Sequence, residues 1–109
     1  MAEALGGFEK LLLLAVLRLG ERAYGAAIFE ELEARTGRPV SPGAVYVALR
    51  RLEAKGMLSS WVGDATPERG GRAKRMYALH ADGLRALRED RRAWEAMAEG
   101  LDGILELDA

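Results

Sequence analysis

The sequence contains no cysteine, which excludes disulfide bonds, thiolate catalysis and cysteine-ligated zinc. Asparagine and glutamine are also absent, and there is one histidine, His80, among 109 residues. The longest apolar run, residues 11–17, is far shorter than the roughly 20 residues of a membrane-spanning helix. No acidic cluster lies near His80 in the sequence, so we expect no metal, no cofactor and no enzymatic activity. A cysteine-free chain without a membrane segment is compatible with the cytoplasm, which is the location we expect.

What is present is an ordinary globular composition, 50% hydrophobic and 30% charged, with a net charge of -1. The charge is unevenly distributed, because residues 38–77 carry 8 basic and 3 acidic side chains while both flanking segments are net acidic. A basic patch on an otherwise acidic protein is what a polyanion-binding face requires. Charge alone leaves a solvated cluster as the alternative.

Hydrophobic periodicity and cap residues predict three helices, a hairpin and a final helix. The predicted helices cover residues 7–19, 24–35 and 41–56, the strands 57–62 and 75–79, and the last helix 82–107. The fold class is therefore mainly α with a small β-hairpin. The first helix is apolar on both sides, so a second subunit or the last helix must cover one of them.

The third predicted helix carries two different faces. Val45, Ala48, Leu49 and Leu52 face the core, whereas Gly43, Tyr46, Val47, Arg50 and Ala54 lie on or beside the opposite face. Small residues allow a backbone to enter a DNA groove, an arginine can read guanine, and a valine can contact a thymine methyl group. Ser41 caps the helix, whose first N–H groups can also hold a phosphate. Packing against another protein is the alternative for this face.

The loop between the strands is basic and glycine-rich. Arg69, Arg72, Lys74 and Arg75 surround Gly70 and Gly71. Such a tip can follow a phosphate backbone or enter a minor groove, although taken alone it is more typical of a solvated loop. Directly after a helix-turn-helix pattern it is interpreted as a wing. Trp61 and Tyr77 are expected to pack as a pair across the hairpin.

The last helix has an apolar seam with a heptad repeat. Leu84, Arg91, Ala98 and Leu105 share one heptad position, and Leu87, Trp94 and Leu101 share the other. Such a seam favours a partner helix. Packing on the chain's own core is the alternative, because Arg91 interrupts the seam and two glycines, Gly100 and Gly103, weaken a helix.

Three segments carry a resemblance to a known family. They are Ala-Tyr-Gly at 23–25, the block SPGAVYVALRRLEAKGML at 41–58, and KRMYAL at 74–79 running into Ala-Asp-Gly at 81–83. Over most of residues 7–90 the chain resembles the PadR family of winged helix-turn-helix transcriptional regulators. It departs from the family pattern at Val47, Met76 and His80, where proline, tyrosine and threonine are frequent, and none of these departures removes a basic residue.

The resemblance implies a winged helix-turn-helix domain over residues 1–80 and a C-terminal dimerisation helix over 81–109, as in the smaller members of the family. It implies a homodimer that represses transcription by binding double-stranded operator DNA. The residues expected to contact DNA are Ser41, Gly43, Tyr46, Val47, Arg50, Arg51, Arg72, Lys74 and Arg75. The alternative function is a winged-helix module that binds proteins and not DNA.

Trp94 and Met97 are the expected effector-binding residues. Trp94 occupies a seam position where leucine would pack better, and its ring can stack on a planar aromatic or cationic small molecule. The resemblance supports this expectation, because small members of the family include multidrug-responsive repressors with aromatic effector sites at the dimer interface. A tryptophan that simply belongs to the apolar seam is the alternative.

Overall fold

The protein's structure, a computed structural model, describes residues 5–63 and 73–106. In chain order the elements are α1 (Gly7–Leu19), α2 (Gly25–Thr36), α3 (Pro42–Ala54), β1 (Leu58–Val62), β2 (Arg75–Leu79), α4 (Ala81–Ala98) and α5 (Asp102–Leu105), with a 3₁₀ turn at Gly20–Arg22. This mainly helical fold with a two-stranded hairpin confirms the predicted fold class. Among the described residues, no helix is both long and apolar enough to cross a membrane.

Helix α1 is covered on one side and partly open on the other. Leu12, Leu13 and Val16 are buried in the core, whereas Leu14 and Leu17 are 45% and 46% exposed. The sequence predicted an apolar helix that needs cover on both sides. In the single chain, only one side of α1 is fully buried.

Helices α2 and α3 form a helix-turn-helix with the caps that the sequence predicted. Gly37 ends α2 in the left-handed region, with a φ of 68°, which glycine adopts without steric cost. At the start of α3 the Ala44 N–H donates to the Ser41 hydroxyl over 3.3 Å, and Pro42 occupies the first turn. The side chains buried beneath α3 are Val45, Ala48, Leu49 and Leu52, as predicted.

Strands β1 and β2 form an antiparallel hairpin that is also joined to the start of α2. The register pairs Trp61 with Met76 and Ser60 with Tyr77. The predicted Trp61–Tyr77 pair is therefore wrong, because opposed residues share a face and these two lie one position out of register. A bridge between Tyr24 and Met76 fixes the hairpin beside α2.

The hairpin is described at its base. Residues 64–72 lie outside the described part of the chain, and with them the predicted contributions of Arg69 and Arg72. The base of the hairpin is described, and there the Gly63 N–H donates to the Lys74 carbonyl over 2.6 Å.

The final helix is shorter than predicted. A continuous helix to residue 107 is wrong, because α4 ends at Ala98 and a separate four-residue turn of helix, α5, begins at Asp102. Gly100 between them has a φ of 84°, which lies outside the right-handed helical region. The predicted end itself, residue 107, is outside the described residues.

One core joins the three N-terminal helices, the hairpin and the first half of α4. The most deeply buried large side chains are Leu12, Leu13, Ile28, Val45, Leu49, Leu52 and Leu58. Ala86 and Leu87 extend this core into α4, and Gly83 lies so close to the Met57 carbonyl that a side chain would clash there. The start of α4 is therefore held by the domain that precedes it.

Two adjacent residues of α1 connect it by ion pairs to other helices. Glu9, whose side chain is 10% exposed, lies 3.1 Å from the Lys55 ammonium at the end of α3. Burial raises the pKa of Glu9, but hydrogen bonds from the Gly6 amide and from Lys55 outweigh it and hold the pKa below its ordinary value. Lys10 lies 3.0 Å from Asp90 of α4.

Candidate nucleic-acid interface

The outer face of α3 is an exposed surface of mixed character. Tyr46 and Val47 are 47% and 55% exposed. Gly43, Arg50 and the neighbouring Arg51 are exposed as well, as the sequence predicted. These positions recur every three to four residues, so they form one continuous strip along the helix. The strip offers close backbone approach at one end and a guanidinium group at the other.

The end of the Tyr46 side chain packs closely against Gly25 of α2. A Cβ atom built on Gly25 would lie 2.5 to 2.8 Å from atoms of the Tyr46 ring, closer than real contacts allow. Only glycine at this position therefore lets the ring pack over the start of α2. In the sequence Gly25 belongs to the segment 23–25 that carries the family resemblance, without a predicted contact. A glycine as the first residue of a helix, where it adds little stability, was the available signal.

Ser41 was expected to lie near a phosphate held by free N–H groups at the start of α3. In the structure its hydroxyl accepts the Ala44 N–H, and Pro42 has no N–H to offer. The Gly43 N–H is the remaining candidate among the first residues of α3. Ser41 itself is exposed, so it can still contact a ligand at this end.

The base of the wing carries two of the predicted basic residues. The Lys74 ammonium lies 3.8 Å from the centroid of the Tyr24 ring, in a cation–π contact. Arg75 is exposed, and one of its guanidinium N–H groups donates to the Ser60 hydroxyl over 2.8 Å. Both cations are therefore positioned by neighbouring side chains of the domain.

A cleft of about 480 Å³ lies between α3 and β2, and we call it the α3–β2 cleft. Its lining residues are Tyr46, Arg50, Glu53, Arg75 and Tyr77. The fold thus brings Arg50 and Arg75, predicted separately from a helix and a strand, to the walls of one cleft. Burial raises the pKa of Tyr77, which also lines this cleft, above its ordinary value.

Glu53 is the acidic residue of the α3–β2 cleft, and sequence analysis did not single it out. Its carboxylate accepts the Ser60 hydroxyl over 2.8 Å, and Ser60 in turn accepts from Arg75. The chain of two hydrogen bonds joins α3 to both strands of the hairpin. Sequence periodicity does not predict this chain of hydrogen bonds, because residues 53, 60 and 75 come together only when the two strands pair in the observed register.

A second surface lies between α1 and α4, away from the α3 strip. This α1–α4 groove has a volume of about 900 Å³, and its largest apolar lining residues are Phe8, Leu11, Leu14, Leu17, Leu84, Leu87 and Trp94. Arg91 also lines the groove. Four of the predicted dimer residues therefore border it, namely Leu84, Leu87, Arg91 and Trp94. Leu87 is also 9% exposed and belongs to the chain's own core.

The other predicted dimer and effector residues lie further along the chain. Ala98 is half-buried at the end of α4, and Leu101 and Leu105 are 44% and 50% exposed beyond it. Trp94 is 59% exposed and lines the groove, whereas Met97 is 80% exposed and lies outside its lining. The structure thus brings Trp94, but not Met97, to the α1–α4 groove.

Within residues 5–63 and 73–106, no group of three or more histidine, aspartate or glutamate side chains is arranged to hold a metal ion. His80 lies exposed between β2 and α4.

The chain is similar in sequence to known transcriptional regulators. The profile of the PadR-like family of transcriptional regulators matches residues 13–89. A curated relative from Mycobacterium tuberculosis, Transcriptional regulator Rv3488, is 44% identical over 82 residues, which cover 73% of this chain and 70% of the relative. Residues 13–89, which the family profile matches, span the helix-turn-helix, the hairpin and the first half of α4.

Solved structures agree in fold. A PadR family transcriptional regulator from Eggerthella lenta is 31% identical and superposes with a TM-score of 0.67, covering 91% of this chain and 84% of that one. A PadR-like transcriptional regulator from Bacillus cereus has a TM-score of 0.73 at 20% identity, with 93% of each chain covered. The second likeness, at this identity, concerns the fold alone.

Proposed function

The chain belongs to the PadR-like family of transcriptional regulators, and from this premise we propose that it is a repressor that binds operator DNA as a homodimer. In this proposal α3 enters the major groove and the hairpin acts as the wing. A small molecule bound between the subunits releases the protein from DNA. The cytoplasm, where such a regulator meets its DNA, is the location we propose.

The observation that carries the proposal is that Arg50 and Arg75 face one cleft beside an exposed strip of small and aromatic residues. Arg50 lies on the exposed face of α3, and an arginine in the major groove can read guanine through two hydrogen bonds. Gly43 permits close approach of the backbone, and Val47 is suited to a thymine methyl group. Lys74 and Arg75 are suited to phosphates, which add affinity without sequence preference.

Substitution of Arg50 separates base reading from phosphate binding. Arg50→Ala should cost about 1 to 3 kcal/mol of operator affinity and leave binding to unrelated DNA nearly unchanged. Lys74→Ala should weaken both and reduce the salt dependence by roughly one charge. Arg35→Ala is the matched control, because this exposed arginine lies on α2 in a surface ion pair with Glu31.

Fluorescence anisotropy measures the affinity of each variant for labelled operator and for an unrelated duplex. Repeating both titrations at a second salt concentration gives the salt dependence. An Arg50→Ala protein that binds operator as tightly as the parent would remove α3 from the reading role. A parent protein that binds no DNA of any sequence would favour the protein-interaction module.

The homodimer is proposed from the α1–α4 groove and the seam of α4. The exposed apolar side chains of α1 and α4 are those that a second subunit would cover, and the resemblance predicts the same interface. A symmetric dimer places its two α3 helices in successive major grooves. Sedimentation of the parent at micromolar concentration should give a dimer, and a monomer that binds DNA one-to-one would contradict it.

The effector site is proposed at Trp94, whose ring borders the α1–α4 groove. A planar aromatic or cationic molecule could stack on the ring, with Glu95 at the groove edge to favour a cation. In a Trp61→Phe protein, Trp94 becomes the only tryptophan. Titration with planar cations and phenols should quench its fluorescence and loosen operator binding, and compounds that do neither would restrict Trp94 to dimer contacts.

A further inference from the structure

Trp61 lines neither the α3–β2 cleft nor the α1–α4 groove. The sequence predicted that its ring would pack on Tyr77, but the register turns these two residues to opposite faces of the hairpin. Tyr77 is buried in the core, whereas Trp61 lies on the outer face and is 49% exposed. Met76 stands directly opposite Trp61 on β2 and is half-buried. The outer face of the hairpin therefore presents an indole ring beside a thioether.

A cleft of about 520 Å³ lies between the hairpin and the end of α1, and we call it the Trp61 cleft. Its large apolar lining residues are Val16, Leu17, Trp61, Met76 and Leu79. The Tyr77 N–H donates to the Ala23 carbonyl over 2.8 Å, so β2 is fixed beside the turn that follows α1. Small-molecule sites in proteins commonly have volumes of about 300 to 1,000 Å³. Both walls belong to one chain, so a single protomer forms a cleft of the size that a small molecule needs.

The charge at the Trp61 cleft is negative. Glu21, in the 3₁₀ turn after α1, is exposed and is the one charged residue among the described residues that line the cleft. Its carboxylate forms no ion pair with another described residue. Arg18, one turn earlier, pairs with Glu31 over 3.1 Å, and Arg22 lies outside the lining. An unpaired carboxylate and a tryptophan ring both attract a positive ligand.

The remaining lining of the Trp61 cleft favours an apolar body for that ligand. Leu17 and Trp61 are 46% and 49% exposed, so a molecule that covers both removes apolar surface from water. The unbranched side chain of Met76 adapts to ligands of different shape. A divalent metal ion needs several oxygen ligands, and one carboxylate does not supply them. The lining thus favours an organic cation over an inorganic one.

We propose that the Trp61 cleft binds an apolar organic cation. The Glu21 carboxylate and the Trp61 ring attract its charge, and its apolar body lies against Leu17 and Met76. This site is distinct from the one proposed at Trp94, because among the described residues the Trp61 cleft shares only Leu17 with the α1–α4 groove. It goes beyond the proposed function, since neither a second subunit nor DNA contributes to it.

Two probes of nearly equal shape and opposite charge, tetraphenylphosphonium and tetraphenylborate, test the preference for a cation. The chain has two tryptophans, so Trp61 is the only one in a Trp94→Phe protein. Tetraphenylphosphonium should quench its fluorescence saturably, and tetraphenylborate should need an about tenfold higher concentration for the same effect. An equal response to both ions, or no saturable response to the phosphonium, would overturn the proposal.

Substitution of Glu21 tests the source of that preference. In the Trp94→Phe background, Glu21→Gln keeps the shape of the side chain and removes its charge, so it should raise the dissociation constant of tetraphenylphosphonium about threefold. Glu30→Gln, the same change at an exposed glutamate of α2 outside the lining, is the control and should leave the constant unaltered. Equal losses for the two substitutions, or none for Glu21→Gln, would overturn the role of Glu21 in the proposed site.

The two tryptophans separate this site from the effector site proposed at Trp94. Quenching of Trp94 in a Trp61→Phe protein, without quenching of Trp61 in the Trp94→Phe protein, would overturn the Trp61 cleft as a site and leave the effector site intact. The titration of Trp61 is repeated at protein concentrations below and above the dimer dissociation constant. Binding should occur at both, because one chain forms the cleft, and a cation that binds only the dimer would overturn the proposal.

Discussion

Two regions of the molecule differ in how their exposed side chains are supported. One is the helix-turn-helix with its hairpin, and the other is the end of the C-terminal helix. In the first region Tyr46 packs over Gly25, and Arg75 is hydrogen-bonded to Ser60. In the second, Trp94 and Ile104 are 59% and 70% exposed. The first region is completed by one chain, whereas the second exposes apolar surface that a single chain does not cover.

This difference indicates which properties depend on protein concentration. The surface proposed to meet DNA is already positioned in the monomer, so substitutions there should act on affinity at any concentration. The apolar surface near the C-terminus gains stability only on association, so substitutions there should act through the monomer–dimer equilibrium.

The largest expected effect comes from a core position under α3. Leu49 is fully buried, and Leu49→Ala should lower the free energy of unfolding by about 2 to 5 kcal/mol. Leu101→Ala, with the same chemical change at a residue that is 44% exposed, should show a loss that appears only where the protein is dimeric. Urea unfolding at two protein concentrations compares them, and equal losses for both variants would contradict the contrast.

Breaking the ion pair of Glu9 and Lys55 should have the next largest effect on stability. Glu9→Gln should cost about 1 to 3 kcal/mol at pH 7, because it removes the buried carboxylate charge that pairs with the Lys55 ammonium. The pKa of Glu9 is held below its ordinary value of 4.5, so its contribution is fully present above that pH and is lost as the pH falls through the lower folded value. The stability difference between parent and variant should therefore shrink toward pH 3. Glu21→Gln, at an exposed site, is the control, and a pH-independent difference would contradict the assignment.

Gly25 should affect DNA binding more than folding. Gly25→Ala displaces the Tyr46 ring, a movable side chain, and should cost about 1 kcal/mol of operator affinity. In a Tyr46→Ala background the same substitution should have no further effect, because the displaced ring is gone. A double-mutant cycle on operator affinity measures this coupling, and additive losses would show that Gly25 acts independently of Tyr46.

The smallest effect is expected at Ser60. Ser60→Ala removes both hydrogen bonds that join Glu53 to Arg75 and should weaken binding to operator and unrelated DNA alike, by about 0.5 to 1 kcal/mol. Ser59→Ala, on the exposed neighbouring position of β1, is the matched control. A loss confined to operator DNA would mean that Arg75 reads bases.

Local signals were sufficient to predict most of the fold. The caps of α3 at Ser41 and Pro42 and its buried positions follow from residues within one or two turns, so the sequence predicted them correctly. The strand Arg75–Leu79 was also predicted with its observed bounds. These features depend on side chains that lie close together in the sequence.

Features that depend on distant residues were not predictable in this way. The Gly25–Tyr46 contact and the Glu53–Ser60–Arg75 hydrogen bonds require the packing of separate elements. The mistaken Trp61–Tyr77 pair reflects a register that cannot be read from the strands alone, since one residue of slip reverses the faces. The break in the last helix at Gly100 was underestimated because the apolar heptads continue past it.

Footprinting on the promoter DNA of the protein tests the central claim most directly, because it requires both the α3 surface and the dimer. The account predicts two protected half-sites related by a near-palindrome, with centres about 34 Å or a multiple of one helical turn apart. Arg50→Ala should need about 5- to 150-fold more protein than the parent for the same protection. One undivided protected site occupied by a single chain, or protection by Arg50→Ala equal to that of the parent, would contradict the account.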